Sequence, residues 1–130
     1  MLDEGERKLV KKFMPGPLTL LVTKRAIVPD ILTSATIEVG VRIPDHPFAL
    51  RLIEEFGPVT STSANIHSKT NPSSAIEAMR DLGDAVRYYL DCGRSPLGQP
   101  STIIQLNDGS IEVIRKGPIS LQEIEATLNE

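Results

Sequence analysis

The apolar residues of this chain change period repeatedly, from the helical repeat of 3.6 to the strand repeat of 2 and back, and that alternation decides which folds are open to it. From Asp3 to Met14 the spacing is helical. Asp3 can cap the helix, Glu6 sits three residues on as in a capping box, and Leu9, Val10 and Phe13 form an apolar stripe. Pro15-Gly16-Pro17 ends it, because proline cannot continue the hydrogen-bond ladder. Leu18 to Val22 reads as a strand. Ile37 to Ile43 alternates strictly, with Ile37, Val39, Val41 and Ile43 on one face and Glu38, Gly40 and Arg42 on the other. After Asp45 the helical period returns through Ala49, Leu52, Ile53 and Phe56, with Pro47 in the first turn and Gly57-Pro58 as the stop. Pro58 to Thr62 reads as a strand. A helix follows from Ser74, with Glu77 completing a capping box and Gly83 closing it, and then a strand from Val86 to Leu90. A Gly/Pro loop runs from Cys92 to Pro100. A hairpin over Thr102–Leu106 and Ile111–Arg115 turns at Asn107-Asp108-Gly109-Ser110. A last helix is capped by Ser120 and Glu123 and faces inward with Leu121, Ile124 and Leu128. Strands and helices interleave, yet one pair of strands is a hairpin. The expected fold is therefore α/β, a mixed twisted sheet flanked by helices.

The chain has 130 residues, 40% of them hydrophobic and 24% charged, the balance of one soluble globular unit with enough length for a core. No repeat, linker or low-complexity run divides it, and no apolar run is long enough to span a membrane. The N-terminus has no secretory pattern. A single cysteine, Cys92, excludes an internal disulfide and fits a reducing, cytoplasmic compartment. One Cys and two His argue against a structural zinc site, and no metal ligand set is expected. The net charge of -3 argues against a broad nucleic-acid surface, and five aromatics without a Trp argue against base stacking.

No phosphate-binding glycine loop, HExxH motif or Cys/His cluster is present. His46 and His67 are isolated, and Cys92 has no base in its neighbourhood of the sequence, so no catalytic residue is assigned. What remains is a set of small polar residues where strands end. Ser61-Thr62-Ser63-Ala64-Asn65 is the densest, and Pro100-Ser101-Thr102 is a second. Hydroxyls and carboxamides at strand ends suit a ligand in an open α/β sheet. By itself, the first segment reads more simply as a polar turn and cap. Arg42, on the polar face of its strand, could hold a carboxylate or phosphate bidentately, and Arg115 with Lys116 closes the last strand with two cations. Spacing alone supports a polar, anionic ligand and nothing finer.

These segments, in this order, resemble the YrdC family, the threonylcarbamoyl-AMP synthases. The resemblance is carried by Pro15-Gly16-Pro17-Leu18-Thr19, Val39 through Pro47 (VGVRIPDHP), Thr62-Ser63-Ala64-Asn65, Pro100 through Ile104 (PSTII) and Ile114-Arg115-Lys116-Gly117. It implies a YrdC-like α/β fold over residues 1–130 as a single domain. That domain is expected to be incomplete, because the TxTxYGL-type and KxR motifs of the family's N-terminal segment are not in this sequence. It implies a nucleotidyltransferase that forms threonylcarbamoyl-AMP from L-threonine, bicarbonate and ATP with Mg2+, the nucleotide being a substrate and no tightly bound cofactor being required. The product would serve N6-threonylcarbamoyladenosine formation in tRNA through a downstream transfer complex. No membrane and little direct double-stranded RNA binding are expected. The resemblance places Arg42, Ser61 and Ser101 at L-threonine, and Ser63, Asn65, Asn71 and Arg115 at ATP. Asn71 stands where the family commonly has Ser. Glu38 stands where many members have Thr near the nucleotide, and that role is not carried over, since a carboxylate repels phosphate. Ser61 is Ala in many members, which points to a backbone contact. Two other readings remain: a carbamoyl-adenylate-forming domain of the hydrogenase-maturation type, and a non-catalytic RNA-binding module.

Overall fold

Apolar alternation and helix caps position nearly every element. The computed structural model describes residues 2–66, 69–107 and 109–130. The elements are α1 (Glu4–Phe13), β1 (Leu18–Thr23), β2 (Glu38–Val41), α2 (Pro47–Phe56), α3 (Ala75–Leu82), β3 (Thr102–Asn107), β4 (Ser110–Arg115) and α4 (Leu121–Asn129). Both capping boxes form, Asp3 with Glu6 and Ser120 with Glu123. At α3 the box opens. Ser74 accepts from the Glu77 N–H, but the Glu77 carboxylate takes its backbone bond from Ser73, one residue upstream. His46 occupies the N-cap of α2, and its side chain makes no cap bond.

The chain forms two compact units. One comprises Met1–Thr60 with Ser101–Glu130, the other Ser61–Pro100. The first is built on a four-stranded sheet in the order β2-β1-β3-β4. β1 and β3 run parallel, while the outer pairs are antiparallel, so the sheet is mixed as its sequence implies. Leu18 and Leu20 of β1 and Ile104 of β3 point to one face. There they meet Leu9 of α1 and Ile124 of α4, and all five are essentially inaccessible to solvent.

β2 is shorter than Ile37–Ile43. Two further differences from the sequence reading have one cause: Pro58–Thr62 and Val86–Leu90 form no ladder. β-branched residues permit a strand, but a strand exists only where another edge takes its N–H and C=O groups. Among the described residues neither segment has such an edge, and Val59 is 54% exposed and Leu90 62%. The expected apolar face of α2 is also only half covered: no α2 residue is buried, and Phe56 is 75% exposed. Asp108 of the hairpin turn and His67 lie outside the described residues.

Thr102 locks the sheet to the segment that leads into α4. It is buried; its Oγ1 accepts from the Ile119 N–H at 2.9 Å and donates to the Ile119 carbonyl at 3.0 Å. Thr102→Val keeps the shape and strands both backbone groups. A loss of about 1–3 kcal/mol is expected, read as a lower urea midpoint at unchanged slope.

Candidate functional site

In the first unit the site residues are brought together by strand register. Pairing of Leu20 with Val41 and of Leu21 with Gly40 puts Glu38, Gly40 and Arg42 on the same face as Thr19 and Leu21, opposite the core. Arg115 reaches that face only through an irregularity. Residues Ile104 to Asn107 pair with Val113 to Ser110 in steady register, but Ile103 pairs with Arg115. Ile114 is the extra residue. Without this bulge Arg115 would lie opposite Thr102, on the core side; with it, the guanidinium swings to the other face.

There Arg115 donates from Nε to the Ser101 carbonyl and from Nη2 to Ser101 Oγ, both at 3.0 Å. Ser101 Oγ in turn lies 2.7 Å from Thr19 Oγ1. Ser101 is buried, so its hydroxyl is committed to Thr19 and Arg115. Arg42 donates from Nε to the Gly16 carbonyl at 3.0 Å. The Gly16 N–H is held by the Ile43 carbonyl at 2.8 Å. No side chain fits at position 16, since a Cβ would collide with the Phe13 carbonyl oxygen. Burial, and then the like charge of Arg115, lowers the pKa of Arg42 from its ordinary value. A guanidinium still remains protonated at neutral pH. Neither arginine pairs with a carboxylate among the described residues. Two neighbouring cations without a counter-anion, one anchored through Ser101 and one through Gly16, form a place for an anion. Among the described residues no group of His, Cys, Asp or Glu side chains could hold a metal ion.

In the second unit the polar segment is less tightly organised. Ser61 and Ser63 are exposed, as is Asn71. Asn65 closes its own loop, donating from Nδ2 to the Lys69 carbonyl at 2.8 Å and to that of Ile66 at 3.1 Å. Its Oδ1 is buried with no partner among the described residues. The polar-turn reading of this segment thus describes the Asn65 amide, and its free acceptor is what a ligand donor could use. Elsewhere in this unit a knot forms around Ser73. Glu77 accepts from the Ser73 N–H at 2.7 Å and from its hydroxyl, while Arg94 donates to Ser73 Oγ at 2.7 Å. The sequence reading missed Thr19, although its place between Leu18 and Leu20 in a strand was the signal, and it gave no hint of the bulge at Ile114.

A family model described as telomere recombination, that of Sua5, YciO and YrdC, matches residues 1–117. The chain belongs to this family. It is 37% identical to a threonylcarbamoyl-AMP synthase of Pyrococcus abyssi over 99% of its own length, and 35% identical to one of Bacillus subtilis over 96%. It spans only 38% and 37% of those relatives. The fold superposes on the crystal structure of P. abyssi Sua5 complexed with L-threonine with a TM-score of 0.92, covering 98% of this chain and 38% of that one. It also superposes on E. coli YciO with a TM-score of 0.73 at 25% identity, covering 95% of this chain and 61% of that one. Its mixed sheet with flanking helices is thus the architecture of this Sua5, YciO and YrdC member. Among the described residues no helix is long and apolar enough to cross a membrane.

The knot in the second unit makes that unit sensitive to acid. Hydrogen bonds from the Ser73 backbone and hydroxyl hold the Glu77 carboxyl below its ordinary value of 4.5. A depressed folded value means the native state binds fewer protons than the unfolded chain in acid. The stabilisation is therefore complete above the ordinary value and is lost as pH falls through the lowered one. Between about pH 5 and 3 the melting temperature of the wild type should fall more steeply than that of Glu77→Gln, measured by circular dichroism.

Proposed function

We propose that this chain contributes to an L-threonylcarbamoyladenylate synthase. Threonine's amine condenses with bicarbonate, through carbon dioxide, to give a carbamate and water. A carbamate oxygen then attacks the α-phosphorus of ATP, forming threonylcarbamoyl-AMP and expelling pyrophosphate. Mg2+ enters with the nucleotide. The observation that carries the reading is the unneutralised pair Arg42 and Arg115 flanking Ser101 on one sheet face. It gains support from family membership and from the likeness to a Sua5 structure that holds L-threonine. The carbamate and ATP are both anions, and joining them requires charge neutralisation and alignment more than a protein nucleophile. Correct placement alone can lower such a barrier by roughly 7–11 kcal/mol. Arginines anchored beside hydroxyls on one sheet face fit that requirement.

In this reading Arg42, Ser101 and Ser61 serve L-threonine, and Arg115, Ser63, Asn65 and Asn71 serve ATP. Because Ser101 Oγ is already shared by Thr19 and Arg115, its role is to fix Arg115 and present an acceptor, with the hydroxyl proton free to be reassigned when a substrate arrives. Residues 1–130 belong to one YrdC-like catalytic domain in this reading. The adenylate passes to a transfer complex that modifies tRNA in the cytoplasm, and no direct double-stranded RNA contact is needed.

The test compares the 130-residue chain with the same chain fused behind the preceding portion of the P. abyssi relative. Threonine- and bicarbonate-dependent pyrophosphate release from Mg-ATP is expected of the fusion and not of the chain alone. Absence of release from both overturns the reading. Within the active form, Arg42→Ala should weaken threonine binding more than ATP binding. A lost bidentate, charge-assisted contact costs about 1.5–3 kcal/mol, and calorimetry that finds threonine affinity unchanged removes Arg42 from the site.

A further inference from the structure

The hydroxyl of Thr19 is assigned to neither substrate in the reading above, yet it closes the network around Arg115. A guanidinium has no acceptor, so the 3.0 Å bond from Arg115 Nη2 fills one lone pair of Ser101 Oγ. Ser101 is buried, and Thr19 Oγ1, at 2.7 Å, is the other partner of its hydroxyl among the described residues. Without Thr19 Oγ1 the Ser101 side chain loses the contact that selects one of its staggered positions. Arg115 would then be secured only by the Nε bond to the Ser101 carbonyl, a pivot in place of a two-point clamp.

Thr19 is itself well placed for this task. It pairs with Ile103 in the parallel ladder, which brings its hydroxyl beside Ser101. Its Cγ2 methyl lies against Gly40 of β2, where an added Cβ would come within 3.3 Å of it. A β-branched side chain is stiff at χ1, so seating the methyl over Gly40 aims the hydroxyl at Ser101.

We propose that Thr19 is a positioning residue for the adenylate-forming step: through Ser101 it fixes the direction of the Arg115 guanidinium. The inference rests on the synthase reading above, in which Arg115 serves ATP. An arginine clamped at two points is aimed before the substrate arrives, whereas a pivoting one must be ordered during the reaction. The pivoting guanidinium keeps its charge and still attracts phosphate. What it loses is alignment. The Thr19 hydroxyl therefore counts in turnover more than in ATP affinity.

The experiment measures pyrophosphate release, in the form that shows it, for wild type, Thr19→Val, Thr19→Ser, Ser101→Ala and the double variant Thr19→Val with Ser101→Ala. Valine keeps the methyl over Gly40 and removes only the hydroxyl. Thr19→Ala removes it without placing a second methyl beside Ser101, and stands in should Thr19→Val fail to fold. In the variant without the hydroxyl, kcat should fall about tenfold while KM for ATP stays within about twofold. Thr19→Ser should recover most of the lost kcat. The double variant should be no slower than Ser101→Ala, because a residue that acts through Ser101 has nothing left to position. Unchanged kcat without the hydroxyl, no recovery with serine, or losses that multiply in the double variant overturn the role of Thr19 and leave the synthase reading intact. Failure of wild type to release pyrophosphate overturns both.

Discussion

Parallel pairing of β1 with β3 is the contact on which the first unit depends. It joins Leu18–Leu21 to Thr102–Gln105, stretches of chain more than eighty residues apart. The core closes there, because Leu18, Leu20 and Ile104 are the inaccessible residues against which α1 and α4 pack. The same pairing makes the opposite face, since it sets Thr19 beside Ser101. Parallel strands cannot be joined by a tight turn, so a long connection must intervene. The entropy of closing such a loop grows only slowly with its length. The fold can therefore carry α2 and the whole second unit between the two strands at little extra cost.

On the far face of the sheet, Arg42 and Arg115 form no ion pair with any of the described residues. Arg42 and Arg115 are held by backbone carbonyls and one hydroxyl, all neutral acceptors. Such anchoring fixes direction while leaving the charge for a ligand. Carboxylate partners would have stabilised the arginines and cancelled the field that binds anions. Burial, and then repulsion from Arg115, disfavour the charge on Arg42, and an anion held beside it offsets that repulsion.

Local rules were legible in the sequence. Asp3 with Glu6 and Ser120 with Glu123 cap as expected, because the partners are three residues apart and need no tertiary help. The alternation through Val39 and Val41 set Arg42 on the polar face correctly, since β2 keeps a regular pleat. What failed depended on distant partners. Pro58–Thr62 and Val86–Leu90 have strand composition without an edge to pair with. Glu77 preferred Ser73 to Ser74 because Arg94, from a later loop, bonds the same Ser73 hydroxyl. The bulge at Ile114 follows from no local pattern: Ile111, Val113 and Arg115 alternate perfectly on paper, and only the pairing of Ile103 with Arg115 reveals the slip. The cluster of Arg42, Ser101 and Arg115 was named residue by residue, but its unity comes from that irregularity.

Gly16 joins the architecture to the chemistry. Its carbonyl orients Arg42, its N–H holds Ile43, and the Phe13 carbonyl leaves no room for even a methyl group. Adding one carbon would force the end of α1 and the arginine apart together. One clash therefore closes the position, and its structural and its arginine-orienting consequences cannot be separated by mutation. A library selected only for folding, with no ligand ever present, would return glycine here, and in doing so would preserve the aim of an arginine it was never asked to keep.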